Sequence, residues 1–165
     1  MKRVIIIGCP GSGKSTFARE LHRLTGLPLH HLDMMYWNAD RTTVPKDVFR
    51  ARLANVLESP EWIIDGNYGG TLELRLQHCD TVFFLDLPTD VCINGIEVRK
   101  GKPRPDMPWI ENGESDEDFL SFVKEYNKES RPRVLALLRQ YADRRIVVFH
   151  SHDEIDEFCR SFEKL

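Results

Sequence analysis

The segment Gly8-Cys9-Pro10-Gly11-Ser12-Gly13-Lys14-Ser15 constrains this chain more than any other. It satisfies G-x-x-x-x-G-K-[ST] and stands between a β-branched apolar run, Val4 to Ile7, and a helical pattern in which Phe17, Leu21 and Leu24 recur at i, i+4 and i+7. A strand that feeds a glycine-rich turn and then a helix N-terminus aims successive backbone N–H groups at one point, and the helix dipole adds positive potential there. Such a loop binds phosphate. In this reading Gly8, Gly11, Ser12 and Gly13 shape the cradle, Lys14 reaches the β- and γ-phosphates of ATP, Ser15 ligates Mg²⁺, and Thr16 neighbours the α-phosphate. Average composition produces the bare pattern in on the order of one chain in a hundred of this length. The strand and helix on either side make a plain helix-capping turn the poorer account. A dinucleotide fingerprint is poorer still, because Gly8, Gly11 and Gly13 do not fall at G-x-G-x-x-G spacing.

The first run is continuous rather than alternating, which suits a strand buried on both faces. Trp62 to Ile64, Thr81 to Leu85 and Ile146 to Phe149 share that character, and Pro28 to Leu32 is a more polar candidate for a further strand. Helical patterns lie between them, from Pro45 to Leu57, Thr71 to Gln77, Thr89 to Arg99, Ser115 to Asn127 and Pro132 to Tyr141. Ser151 followed by Glu154 forms a capping box for a last helix, His152 to Phe162. Strands alternating with helices predict one α/β domain over residues 1–165 with a mostly parallel sheet. One stretch breaks the rhythm. Lys100 to Pro108 gathers three prolines beside basic residues, and Glu111 to Asp118 then carries five acids without a base. Residues 99–115 therefore read as a surface lid.

Composition removes several function classes. Twenty-three Lys and Arg against 26 Asp and Glu give a net charge of −3, without the basic excess of a protein that neutralises nucleic-acid phosphates. Direct nucleic-acid binding is not expected. No apolar run approaches the ~20 residues of a membrane span. Cys9, Cys79, Cys92 and Cys159 form no C-x-x-C pair, and the apolar run after Lys2-Arg3 is too short for a secretion signal, so a cytoplasmic location is expected. Oligomeric state has no signal.

A phosphate loop does not say what becomes of the phosphate. The D-x-x-G and [NT]-K-x-D patterns of GTPase switches are absent from the sequence, and Asn127-Lys128-Glu129-Ser130 lacks the final Asp. An apolar run ending in paired acids, which motor ATPases require, is absent as well. Small kinases remain. The phosphate loop, Trp62 to Tyr68 after the third strand and the basic lid after the fourth resemble the adenylate kinase-like small-molecule kinases. Within them, His31-Leu32-Asp33, Trp37, Asp65-Gly66-Asn67-Tyr68, Arg99 to Asp106 and Arg131-Pro132 resemble the bacterial FlaR-like topology modulation proteins. The resemblance spans nearly the whole chain. It implies a three-layer α/β/α P-loop sandwich of the nucleoside/shikimate kinase kind, with a five-stranded parallel sheet in the order 2-3-1-4-5 and a lid insertion. It also implies phosphoryl transfer from ATP to a small-molecule acceptor. The acceptor stays open among nucleosides, nucleotides and hydroxyl metabolites, and a nucleotide-switched protein acting on DNA topology is the alternative.

Asp33 stands where sugar- and shikimate-type kinases hold an acceptor hydroxyl, a service that orients the nucleophile; the competing account is an Asp capping the next helix. Asp65 resembles the Asp-Gly pair of adenylate kinases that reaches the Mg²⁺ shell, against a plain Asp-Gly turn. Arg99, Lys100, Lys102, Arg104, Arg131 and Arg133 are candidate phosphoryl contacts, of which Arg104 and Arg131 stand beside prolines that fix the backbone. Each could equally be a solvated surface charge. Tyr36, Trp37 and Tyr68 offer an aromatic wall for an acceptor or ordinary core packing. His150 and His152 follow the last strand, where this fold meets adenine, and Cys9 reads as passive.

Overall fold

The computed structural model describes residues 1–110 and 117–162. Five strands, β1 (Arg3–Gly8), β2 (Leu29–His31), β3 (Trp62–Asp65), β4 (Thr81–Leu85) and β5 (Arg145–Phe149), pair in parallel in the order β2-β3-β1-β4-β5. This is the predicted sheet. Eight helices surround it among the described residues: α1 (Lys14–Thr25), α2 (Leu32–Tyr36), α3 (Lys46–Leu57), α4 (Leu72–His78), α5 (Thr89–Arg99), α6 (Glu117–Glu129), α7 (Arg131–Gln140) and α8 (His152–Phe162).

The continuous apolar runs follow from cover on both faces. Val4, Ile6, Ile63, Phe83 and Leu85 face a layer made by α1, α5, α6 and α8, while Ile5, Ile7, Ile64, Val82 and Phe84 face α3, α4 and α7. All ten are at most 1% exposed, so each contributes about 1.5–3 kcal/mol relative to an exposed position. Phe17 of α1 meets Phe83 and Phe149 edge-on at 5.1 and 5.5 Å. Phe158 of α8 joins the same group at 5.1 Å from Phe83. This aromatic group fixes the helix that starts at the phosphate loop.

Two local departures matter for the site. The second strand stops at His31, and Leu32 opens the short helix α2, so Asp33 lies in a first helical turn rather than at a strand end. Leu32 is fully buried, which turns the chain inward there. At the capping box Ser151 Oγ accepts from Glu154 N–H at 3.2 Å, while the Glu154 carboxylate reaches back one residue further than the pattern requires, to His150 N–H at 2.7 Å. Residues 111–115 of the expected lid, with the start of the helix predicted from Ser115, lie outside the described residues. No helix among the described residues is long and apolar enough to cross a membrane.

Candidate active site

The loop after β1 is shaped by close backbone approach. A Cβ on Gly11, whose φ is +83°, would meet the Cys92 carbonyl of α5 at 2.0 Å, and one on Gly95 would meet the Gly11 carbonyl at 2.1 Å. Only hydrogens fit between loop and helix here. Gly8 N–H donates to Asn67 Oδ1 at 3.1 Å, His152 Nε2 lies 3.0 Å from the Ser12 carbonyl, and Lys14 Nζ donates to the Cys9 carbonyl at 3.0 Å. Helix α1 follows Gly13 as its N-cap, with no side-chain cap and no acid in its first turn, so its N-terminal potential stays positive. Burial lowers the pKa of Lys14, against the pull of the Asp65 carboxylate. A hydrogen bond with Cys92, and then burial, hold the Cys9 thiol up, which keeps it protonated.

Beyond the loop, register delivers the acids. β2 and β3 pair His31 beside Asp65, and His31 Nδ1 lies 2.8 Å from Asp65 Oδ2. Ser15 Oγ lies 2.8 Å from that same oxygen and 2.9 Å from Asp106 Oδ2. Arg19 and Arg104 flank Asp106 at 3.9 and 3.6 Å. Asp33 Oδ1 accepts a 2.5 Å hydrogen bond from the Tyr68 hydroxyl. Burial raises the Asp33 pKa, and the Tyr68 bond opposes that rise. The loop that carries Tyr68 is held by Arg75, a fully buried guanidinium that donates to the Gly66 carbonyl at 2.9 Å and also to the carbonyls of Asn67 and Tyr68. Burial brings Arg75 down to about 10, so it stays charged near neutrality.

Two cavities open around these groups. One, of about 1200 Å³, runs from Gly11, Gly13 and Thr16 past Arg19 to His152 and Arg160 on α8. The other, of about 640 Å³, contains Asp33, Trp37, Arg41, Asp65, Tyr68 and Trp109. They share Lys14, Ser15, Arg99, Arg104 and Asp106. Cations and a hydroxyl therefore stand where the two chambers meet, the place at which a group could pass between them.

The expected residues distribute unequally over this site. Lys14, Ser15 and Arg104 lie at the junction, Asp33 and Asp65 in the smaller cavity, and Thr16 in the larger. Lys100 lines the smaller cavity and Lys102 the larger. Arg131 is held elsewhere, in a bidentate pair with Asp86 at 2.7 and 2.8 Å, and lines neither cavity; nor does Arg133. Trp37 and Tyr68 face the smaller cavity, whereas Tyr36 packs behind them against Phe49. Residues 109–110 close on this chamber: Trp109 meets Trp37 edge-on at 5.8 Å, and Arg41 stacks 5.1 Å from the Trp109 ring while donating to the Ile110 carbonyl at 3.1 Å.

Asn67 and Asp106 stand in the segments that carry the resemblance but received no role from the sequence, and Arg75, Arg41 and Trp109 escaped it altogether. Only Gly95, an isolated glycine inside a helical pattern, carried a local sign of close packing.

No protein-family model and no curated protein matches the chain. Among solved structures it matches a shikimate kinase from Bacteroides thetaiotaomicron with a TM-score of 0.63, over 99% of this chain and 96% of that one, at 16% identity. The chain has the shikimate kinase fold. In this chain the cavity junction at Lys14 and Ser15 follows the C-terminal end of β1, the side of the sheet on which open α/β folds bind ligands.

Proposed function

We propose that this protein is an ATP- and Mg²⁺-dependent kinase that moves a phosphoryl group onto a hydroxyl of a small molecule. The observation that carries this reading is the pair of cavities meeting at Lys14, Ser15 and Arg104, with the Asp33 carboxylate in the one beyond the loop. A nucleotide-gated switch has no need of that second chamber.

ATP enters the larger cavity with its phosphates on the loop, and Lys14 neutralises charge that develops on the β,γ-bridge. The acceptor lies in the smaller cavity between Trp37 and Tyr68. Asp33 holds its hydroxyl and takes its proton as the oxygen bonds to the γ-phosphorus; the bond to the β,γ-bridging oxygen breaks and ADP leaves. Arg104 stabilises the transferring group from the lid, and the lid excludes water that would otherwise compete. Ser15 and Asp65 fit a hard divalent cation, since Asp65 Oδ1 is buried without a hydrogen-bond partner among the described residues. Mg²⁺ bound there supplies charge neutralisation on the phosphates. The FlaR-like resemblance assigns no acceptor, and the aromatic walls favour ring-bearing alcohols such as nucleosides.

The test is ADP formation against a panel of nucleosides, nucleotides and hydroxyl metabolites, with the phosphorylated product identified by mass spectrometry. A hydroxyl compound that raises turnover well above the water background and gains a phosphoryl group is expected. ATP binding with no acceptor-dependent turnover across the panel would overturn the reading in favour of a switch.

A further inference from the structure

Asp106 has no part in the phosphate-loop reading, yet this lid carboxylate is only 4% exposed. It reaches the Ser15 hydroxyl at 2.9 Å while Asp65, also 4% exposed, reaches the same hydroxyl at 2.8 Å. Ser15 has one proton and can donate to one carboxylate at a time. Two buried carboxylates are thus brought together across a single hydroxyl, with Arg19 and Arg104 beside one and His31 beside the other, so that oxygens of both converge on the Ser15 hydroxyl. A second observation points the same way. Asp65 Oδ1 is buried without a partner among the described residues, while its Oδ2 is shared by Ser15 and His31.

We propose that Asp106 is a lid-borne ligand of the divalent cation held by Ser15 and Asp65, so that cation binding fastens residues 100–110 over the phosphate loop. This rests on the reading of Ser15 and Asp65 as metal-binding residues. Carboxylate and hydroxyl oxygens are the donors that Mg²⁺ and Mn²⁺ take. Among the described residues no three acidic, His or Cys side chains form a metal site on their own. The remaining positions therefore belong to nucleotide phosphate and water, which makes cation binding depend on the nucleotide. Arg19 and Arg104 beside Asp106 then serve the phosphates and the carboxylate together, linking closure to the arrival of the charged complex.

The experiment is a Mn²⁺ titration followed by electron paramagnetic resonance, with the β,γ-imido analogue of ATP present. It compares the parent protein with Asp106→Asn, Asp106→Ser, Asp65→Asn and Ser15→Ala. Thermal melting confirms that each variant is folded. Asp106→Asn and Asp106→Ser are expected to weaken Mn²⁺ by about tenfold or more, with affinity for the metal-free analogue changed less than twofold. Amide exchange of residues 100–110 should slow when Mn²⁺ is added to the analogue complex of the parent, and not in either variant. Unchanged Mn²⁺ affinity in both Asp106 variants, with loss in Asp65→Asn, would overturn the proposal and leave the Ser15–Asp65 reading standing. Unchanged affinity in Asp65→Asn and Ser15→Ala as well would overturn that reading too. Tighter analogue binding by Asp106→Asn at unchanged Mn²⁺ affinity would also overturn the proposal, because the carboxylate would then be competing with phosphate.

Discussion

The Tyr68 hydroxyl donates to Asp33 Oδ1 at 2.5 Å, and that bond joins the loop after β3 to the first turn of α2. Burial raises the Asp33 pKa and the Tyr68 bond lowers it. A base must be ionised to accept a proton, so the rate falls as pH drops through the Asp33 pKa, and this acidic limb lies above the usual aspartate range. Removing the phenol in Tyr68→Phe takes away a bond that favours the ionised form. The limb therefore moves to higher pH, while Asp33→Asn abolishes it and lowers kcat by about 10²–10⁴-fold. Rate profiles from pH 4 to 9, titrated with ATP saturating, check both; a limb that moves down in Tyr68→Phe would contradict the assignment.

Lys14→Ala removes the charge that lies within the phosphate loop. The variant is expected to lose turnover by about 10³-fold and to weaken ATP more than adenosine. Calorimetric titration with both ligands separates the effects. Equal ATP affinity in the variant would show that the loop does not hold the phosphates.

Arg104 and Arg131, both candidate phosphoryl contacts, are held differently. Arg104→Ala is expected to lower kcat by about 10²-fold or more at nearly constant ATP affinity, because its guanidinium stands at the junction of the two cavities. Arg131→Ala leaves the Asp86 carboxylate, only 7% exposed, without its bidentate partner. Its cost is about 1–2 kcal/mol of stability, discounted because the Arg131 side chain is 37% exposed. Urea unfolding alongside steady-state kinetics distinguishes them. A large kcat loss at unchanged stability in Arg131→Ala would instead place that arginine on the phosphoryl group.

Gly95→Ala tests the contact between α5 and the phosphate loop. The added methyl group would meet the Gly11 carbonyl at 2.1 Å, and moving backbone to relieve the overlap costs about 1–3 kcal/mol. ATP affinity should fall with stability, since the loop is displaced. Unimpaired nucleotide binding would mean that α5 yields without disturbing the loop.

The elements of the sheet were legible because burial on both faces leaves a local record: Val4 to Ile7 and Thr81 to Leu85 are apolar without interruption. The glycine-rich loop after β1 was equally legible, since its shape depends on consecutive backbone groups and glycines that sit together in the chain. Helix α2 was not. Its five residues are too few to show a period, and its direction is set by Leu32 entering the core.

The partners of the loop belong to the other kind of information. Asp106 reaches Ser15 across 91 residues, Asp65 across 50, and Trp109 meets Trp37 from the lid. Arg104 and Arg131 sit beside prolines alike in the sequence, and only the end of β4, which carries Asp86 to Arg131, tells them apart. Sequence thus determined the α/β class and the glycine-rich loop after β1, because both arise from short-range pattern, while the order of the strands came from the family resemblance. Tertiary structure alone decided which charges share a cavity, because pairing across the sheet and over the lid depends on distances in space that spacing along the chain does not encode.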